Sequence, residues 1–289
     1  MRRVSRELSA PQIVEGVVAP AAMMRARFVI DLEPGIRTVP STAEEEYGAV
    51  HKTLTGTNLK RMCGRFVLFT TGDALLEAAS EIAPFPVLDA PSGTPPERYN
   101  IAPTQQVAIL HSLETPGKGV LEAARWGLIP HWKRHDGGPA LFNARAETVT
   151  EKPSFRDAFT TMRCVIPMDG YYEWHTQGKQ KTPYFVHRDS GELMWAAGLY
   201  SWGQRMLSTT ILTTTSTSPL EWLHDRMPRF LAPAEVKPWL LGSAEDARSL
   251  LHPTPDEVRG GLTADEVGKE VGNIRNDYPG LIAPPARLL

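Results

Sequence analysis

The segment "TPYFVHRDSGELMWAAGLYSW", residues 182–202, decides the fold class. Tyr184, Phe185 and Val186 on one side, and Met194, Trp195, Leu199, Tyr200 and Trp202 on the other, suit a half-buried pleated surface. Asp189-Ser190-Gly191-Glu192 between them is turn chemistry, so the stretch reads as two strands of a β-hairpin.

Working outward, "RCVIPMDGYYEW" (163–174) reads as a strand broken by Pro167 and Gly170, and "MLSTTILTTTS" (206–216) as another strand. Gln106 to Ser112 and Gly119 to Gly127 form strands around a turn, and Cys63 to Phe69 alternates enough for one more. Gly72-Asp73 caps an amphipathic helix over Ala74 to Ile82, and Ser154 caps the short helix "SFRDAF". Pro84 to Pro103 is too proline-rich for either ladder and reads as a structured loop. "AEVKPWLLG" (234–242) and "AEDARSLL" (244–251) read as helices and "EVGNIRND" (270–277) as a last strand. Antiparallel strands interleaved with short helices give an α+β fold.

The chain has 289 residues, 42% hydrophobic and 8% aromatic, enough for a sizeable core. Residues 1–61 show little periodicity. They are expected to be a poorly ordered extension absent from the mature protein, leaving a domain over 62–280 and a tail over 281–289. No apolar run is long enough for a membrane span and no secretory signal opens the chain, which places it in the cytoplasm. Two cysteines are too few for a disulfide framework. With 31 Lys and Arg against 33 Asp and Glu the net charge is −2, so any nucleic-acid contact must come from a local arginine cluster.

Cys63 carries the most distinctive chemistry. If Met62 were the initiator, its removal would leave an N-terminal cysteine, a free α-amine beside a thiol. The amine, with an ordinary pKa of about 7.7 to 8, condenses with an aldehyde to an imine that the thiol closes into a thiazolidine. The alternative is a small buried cysteine. In "FNARAET" (142–148), Asn143, Arg145 and Glu147 share one face if the stretch is extended, a site or a solvated edge. Glu173 lies between Tyr172 and Trp174, neighbours that desolvate a carboxylate and favour general-acid behaviour; an exposed strand glutamate is equally open. His224, Asp225 and Arg226 precede Pro228 in a loop where histidine can move protons beside an anion. Arg65, Arg145, Arg163, Arg226 and Arg229 make a phosphate cluster if they converge, and Trp126, Trp132 and Trp174 offer stacking platforms or core packing. Walker, dinucleotide, G-x-S-x-G and C-x-x-C motifs are missing. His131 and His135 have i, i+4 spacing but lack a third ligand nearby, so no metal and no cofactor are expected.

Taken in order, "MCGRF" (62–66), "RYNIAPTQ" (98–105), "RWGLIPHW" (125–132), "FNARAET" (142–148), "RCVIPMDGYYEW" (163–174), "AAGLY" (196–200) and "HDRMP" (224–228) resemble the SRAP (SOS response-associated peptidase) family of abasic-site processing proteins. The resemblance runs from Met62 to about Pro279. It implies one domain around a curved, barrel-like antiparallel sheet with a groove for single-stranded DNA. The implied activity is covalent capture of abasic sites in single-stranded DNA through a thiazolidine at an N-terminal cysteine. Carried over, Cys63 is the nucleophile, Asn143 orients it and the sugar oxygen, and Glu173 is the acid/base that opens the deoxyribose. His224 is a second proton carrier, also implicated in reversal. Arg65, Arg145 and Arg226 resemble phosphate contacts, with Trp132 and Trp174 beside the DNA. A monomer with no membrane partner is expected, nucleoid-associated if bacterial.

Two departures stand out. Residues 1–62 precede Cys63, whereas the family's chemistry needs a free amine there; either translation starts at Met62 or a cleavage, the self-cleavage in the family's name, precedes Cys63. Arg229 follows Pro228 where the family has an apolar residue. The competing expectations are a cysteine peptidase or amidohydrolase using Cys63, His224 and Asn143 or Glu173, and a non-catalytic single-strand binder.

Overall fold

The structure is a computed structural model and describes residues 64–134 and 140–285. Cys63, His135 and the expected extension over 1–61 lie outside the described residues.

Five strands close into a barrel: β4 (Gln106–Ser112), β5 (Lys118–Trp126), β7 (Arg163–Met168), β10 (Met194–Gly203) and β11 (Met206–Thr215). Neighbours pair antiparallel in the order β11-β10-β7-β4-β5, and a parallel pairing of Ser208 with Arg125 and Thr209 with Trp126 shuts the ring. Closure removes two unpaired edges that would otherwise invite association. Three short strands decorate it: β2 (Val87–Asp89) on β5, and β6 (Asn143–Arg145) and β12 (Arg226–Pro228) on β11. A second sheet has the order β13-β9-β8-β1-β3, from β1 (Phe66–Leu68), β3 (Arg98–Ile101), β8 (Gly170–Gln177), β9 (Gln180–Arg188) and β13 (Leu262–Glu266). The helices are short: α1 (Gly72–Ile82), α2 (Arg156–Thr161), α3 (Pro233–Leu241), α4 (Ala244–Ser249) and α5 (Asp256–Arg259). The main core fills the barrel and the space between the sheets, and a smaller cluster of Val67, Tyr172, Phe185, Val267, Val271 and Leu281 covers the far face of the second sheet. None of the helices among the described residues is long and apolar enough to cross a membrane.

The α+β barrel matches the expectation, as do the strands over 106–112 and 206–215, but several local readings are corrected. The two strands of 182–202 form, yet not as a hairpin: β9 pairs with β8 and β13, while β10 pairs with β7 and β11. The backbone N–H of Asp189 donates to Gly261 O at 2.9 Å, so the turn is anchored on β13's side and carries the chain from one sheet to the other. Besides the expected β4–β5 pair, hairpins form at β8–β9, turning at Gly178 with φ 61°, and at β10–β11, where Gln204 and Arg205 both take positive φ (52° and 62°) as a two-residue primed turn needs.

The proline-rich stretch contains β2 and β3, because its prolines all fall outside those two strands. Pro167 sits inside β7, and the break before β8 comes at Asp169, whose carboxylate accepts from the backbone N–H groups of Phe69 (2.6 Å) and Thr70 (2.9 Å). Helix α2 begins at Arg156 with Phe155 as its N-cap, so Ser154 does not cap it. Residues 270–277 are not a strand: they open in a 3-10 turn, Lys269–Gly272, and the last strand is β13.

Candidate active site and nucleic-acid interface

Alternation along β8 sorts its side chains. Tyr171 belongs to the main core, while Tyr172 and Trp174 pack with the small cluster on the opposite face. Glu173 therefore shares Tyr171's side of the sheet with His175, and its register partner on β9 is Tyr184. Glu173 is only 3% exposed, and its Oε1 accepts the Trp174 backbone N–H at 3.0 Å. The neighbouring Tyr172 N–H donates to Arg65 O at 3.0 Å, so the chain following Cys63 runs directly beside the acid. On its other edge β8 comes close to β9 at Gly170, where a Cβ would lie 2.2 Å from the Phe185 ring and 2.7 Å from Val186 O.

Asn143 and Arg145 reach the site on β6, laid parallel along β11 with Ile211 opposite Asn143 and Thr213 opposite Arg145. Phe142 O fixes this strand by accepting from Ile211 N–H (3.0 Å) and Trp126 Nε1–H (2.8 Å). The Trp126 ring, 5.1 Å from Phe66 and 5.9 Å from Phe142, ties β6 to β1, so this tryptophan is core and not a stacking platform. Glu147 leaves the expected extended face because Ala146–Thr148 is a 3-10 turn. It is bidentate with Arg226, through Nη1 to Oε1 and Nη2 to Oε2 at 2.9 Å. Burial alone would push the Glu147 carboxyl up, but the Arg226 hydrogen bond, Glu147's own backbone and the charges of Arg226 and Arg145 outweigh it and hold it low.

His224 is buried, with Nδ1 facing both the Arg226 backbone N–H (3.0 Å) and Asp225 Oδ1 (2.9 Å), a donor and an acceptor. Nε2 is buried and has no hydrogen-bond partner among the described residues. An imidazole so placed can hold or release a proton at a fixed point while its other nitrogen waits for a ligand. Trp222, two residues earlier, packs at 5.3 Å from His175 and 5.0 Å from Tyr184. The His224 loop is thereby pinned to the Glu173 face of the second sheet, and the Glu147–Arg226 pair ties the same loop to the turn that follows β6.

The arginines divide. Arg145 is exposed, and its charge is one of those that hold the Glu147 carboxyl low. Arg65 donates to Asn100 Oδ1 (2.9 Å), Val271 O (2.7 Å) and Gly272 O (3.1 Å), and burial lowers its pKa while Tyr172 raises it. Arg226 also donates to Thr213 O at 2.6 Å. Arg163 and Arg229 are not in a phosphate cluster. Arg163, 5% exposed, donates to Trp239 O (2.6 Å), Phe159 O (2.8 Å), Thr160 O (2.7 Å) and Gly242 O. Arg229, 1% exposed, pairs with Glu235 at 2.7 Å and donates to Leu250 O and Phe230 O, so it packs. Trp132 is half exposed with Nε1 3.4 Å from Pro153 O, whereas Trp174 lies across the sheet from Glu173.

No group of three His, Cys, Asp or Glu among the described residues is placed to hold a metal; His131 instead approaches Asp157 at 4.0 Å. Sequence reasoning missed Trp222, although a tryptophan two positions before a loop histidine was a legible signal. It also missed Asn100, whose amide donates to Val271, Asn273 and Asn276 carbonyls and locks the C-terminal segment behind Arg65.

The sequence profile of the family described as SOS response associated peptidase (SRAP) matches residues 62–274. The abasic site processing protein YoqW of Bacillus subtilis is 37% identical over 231 residues, covering 76% of this chain and 99% of its own length. The abasic site processing protein HMCES of Xenopus tropicalis is 32% identical, covering 64% of this chain and 65% of its own. A crystal structure of a protein from Bacteroides thetaiotaomicron superposes with a TM-score of 0.61 at 25% identity, over 77% of this chain and 99% of that one.

Proposed function

Because the chain belongs to the SOS response associated peptidase family, we propose that it processes abasic sites in single-stranded DNA, holding the baseless sugar covalently on Cys63. The observation that carries this reading is the position of Glu173. It is a buried carboxyl one residue from Tyr172, whose N–H meets Arg65 O. Cys63 is two Cα steps from Arg65, at most about 7.6 Å.

An abasic sugar rests mostly as a closed hemiacetal, and opening it needs a proton delivered to the ring oxygen and one taken from the anomeric hydroxyl. In this reading Glu173 moves both protons, with His224 as a second proton carrier and as the group that reverses the adduct. The Cys63 α-amine adds to the freed aldehyde carbon, and loss of water gives an imine. The Cys63 sulfur then adds to the same carbon, its proton passing to nitrogen, and closes the thiazolidine. Asn143 orients the amine and the sugar oxygen. Arg145, exposed, contacts phosphate; Arg65 and Arg226 contribute positive charge while bracing the walls, and Trp132 flanks the strand, whereas Trp174 packs behind β8 and takes no part in this contact.

This chemistry requires an unblocked nitrogen on Cys63, so the domain over residues 62–280 works only after Met62 is lost, with 1–61 removed or untranslated and 281–289 a tail. The family profile starting at residue 62, and the alignment of YoqW over almost its whole length within 76% of this chain, support that boundary. A cut before Cys63 by the protein itself would account for the family's name. One chain supplies every group, which favours a monomer acting in the cytoplasm beside the chromosome.

The test is incubation with an oligonucleotide carrying one abasic site, followed by denaturing electrophoresis and intact mass. A Met62 start should give a shifted band, Cys63→Ala none, and Glu173→Gln a rate lower by about 10²- to 10⁴-fold. A covalent product from a chain whose mass retains residue 62 would overturn the mechanism.

A further inference from the structure

The loop that delivers His224 carries an indole that the proposed chemistry leaves unused. Leu220 and Leu223 are buried, and the backbone N–H groups of Leu220 and Leu223 donate to Thr217 O and Leu220 O, each at 3.0 Å. Ser216 N–H closes the loop on Asp225 O at 2.9 Å. With the leucines turned inward, Glu221 and Trp222 are left facing outward.

Trp222 is 47% exposed, whereas the core tryptophans Trp126 and Trp239 are 1% exposed. Core filling therefore does not account for it. Its ring is not loose, however: Tyr184 stands against it at 86° and His175 at 79°, and those two rings lie 6.5 Å apart. Edge-to-face packing of this kind fixes an aromatic side chain in one orientation. The three rings form a ledge on the same side of the second sheet as Glu173, because Tyr184 is the register partner of Glu173 and His175 is two residues along β8.

We propose that Trp222, held upright by Tyr184 and His175, stacks on the unpaired nucleobase next to the abasic sugar and so positions the damaged strand over Glu173. The inference rests on the abasic-capture reading. A nucleobase is the fitting occupant because every base offers a π-face, so stacking tolerates any sequence around a lesion. The ledge also lies beside the acid's register partner Tyr184 and two residues from the histidine, within reach of a base flanking a sugar held over Glu173. Trp222 is a positioning residue: it touches the neighbouring base and not the reacting sugar.

The experiment couples the protein variant to the missing base. Protein from the native gene, with Trp222→Ala and Trp222→Phe variants, is titrated against three single strands containing tetrahydrofuran as an unreactive abasic analogue. One keeps both flanking bases, one lacks the base on the 5′ side and one lacks that on the 3′ side. On the strand with both bases, Trp222→Ala should bind about 5- to 150-fold more weakly than wild type, the range one stacked base supports, and Trp222→Phe should recover most of the loss. On one of the two base-deleted strands the wild type should itself weaken and match Trp222→Ala. The ledge is refuted if Trp222→Ala binds the complete strand like wild type, or if its deficit persists on both deleted strands. Thermal melts of the variants exclude misfolding, and the wild-type drop on a deleted strand needs no variant. Wild-type crosslinking to a reactive abasic strand is scored in parallel. If it occurs while the stacking signature is missing, only the ledge fails; if it does not occur, the abasic reading fails too.

Discussion

Replacing Arg163 with lysine separates two fates for a buried cation. The guanidinium sits at the start of β7 and reaches two helix ends. Nη1 serves Phe159 O and Thr160 O near the end of α2, while Nε and Nη2 serve Trp239 O and Gly242 O at the end of α3. Helices leave their last carbonyls without intrahelical partners and carry partial negative charge there, so a fixed fork between two such ends is well matched. A lysine ammonium keeps the charge but donates from one point and cannot span both ends. At least two of the four carbonyls lose their donor. At about 1 to 3 kcal/mol for each buried acceptor left unmet, Arg163→Lys should cost about 2 to 6 kcal/mol. For a domain of this size that lowers Tm by roughly 5 to 20 °C, read by calorimetry at pH 7. The folded variant's affinity for single-stranded DNA should match wild type at equal salt. A Tm shift under about 1 °C together with a tenfold or greater loss of DNA affinity would place the guanidinium on phosphate and refute the reasoning.

Gly170→Ala forces a methyl into the Phe185 ring and the Val186 carbonyl; the expected cost is about 1 to 3 kcal/mol in a urea melt, and an unchanged midpoint would show that the β8–β9 approach relaxes freely. Glu147→Gln removes the partner of Arg226 at a half-exposed ion pair, so stability should change by less than about 1 kcal/mol. The released positive charge should steepen the salt dependence of DNA binding by about one unit of log–log slope; an identical slope would show that Arg226 stays shielded. At high pH, burial pushes the Cys164 thiol from 9.0 and the Tyr200 phenol from 10.0 each up to about 12. The folded chain keeps both protons where the unfolded chain has lost them, so this stability is complete below about pH 9 and is lost as pH rises toward 12. A Tm that stays flat from pH 9 to 11.5 would contradict it, as would native-state alkylation of Cys164.

Periodicity made the strands legible and left their partners open. The 182–202 stretch shows why: its alternation is the same whether β9 meets β10 or β8, and the choice was made by Gly261, some seventy residues downstream, accepting the Asp189 N–H. The strands β2 and β3 escaped notice because they are three and four residues long and lie among prolines. Glu173 is 3% exposed, but its aromatic flanks Tyr172 and Trp174 turn to the opposite face of β8, so its burial comes from the other side of the sheet and was not legible from them. Nor were the arginines legible. A guanidinium reads alike in sequence whether it faces phosphate or carbonyl oxygen, and only tertiary structure revealed that Arg163 and Arg229 spend their donors internally while Arg145 stays exposed.

β8 also shows how one strand can serve two purposes without compromise. Tyr172 and Trp174 face the small cluster closed by Val271 and Leu281, and the Tyr172 hydroxyl donates to Tyr99 O at 2.8 Å; burial raises its pKa well above the phenol's ordinary value, so it remains a donor. That face is held by residues after 266, and Arg65 and Asn100 bind the same segment through Val271 O. Glu173 and His175 face the other way, toward the loop bearing Trp222 and His224. The C-terminal segment thus fixes the strand from behind, so the acid's position does not depend on whatever occupies the front. Loosening the back with Asn100→Ala, which leaves the Val271, Asn273 and Asn276 carbonyls without its amide, should slow crosslinking while the affinity for an unreactive abasic strand holds. Equal losses in rate and affinity would mean that the back of β8 supports DNA binding as a whole and does not set the aim of Glu173.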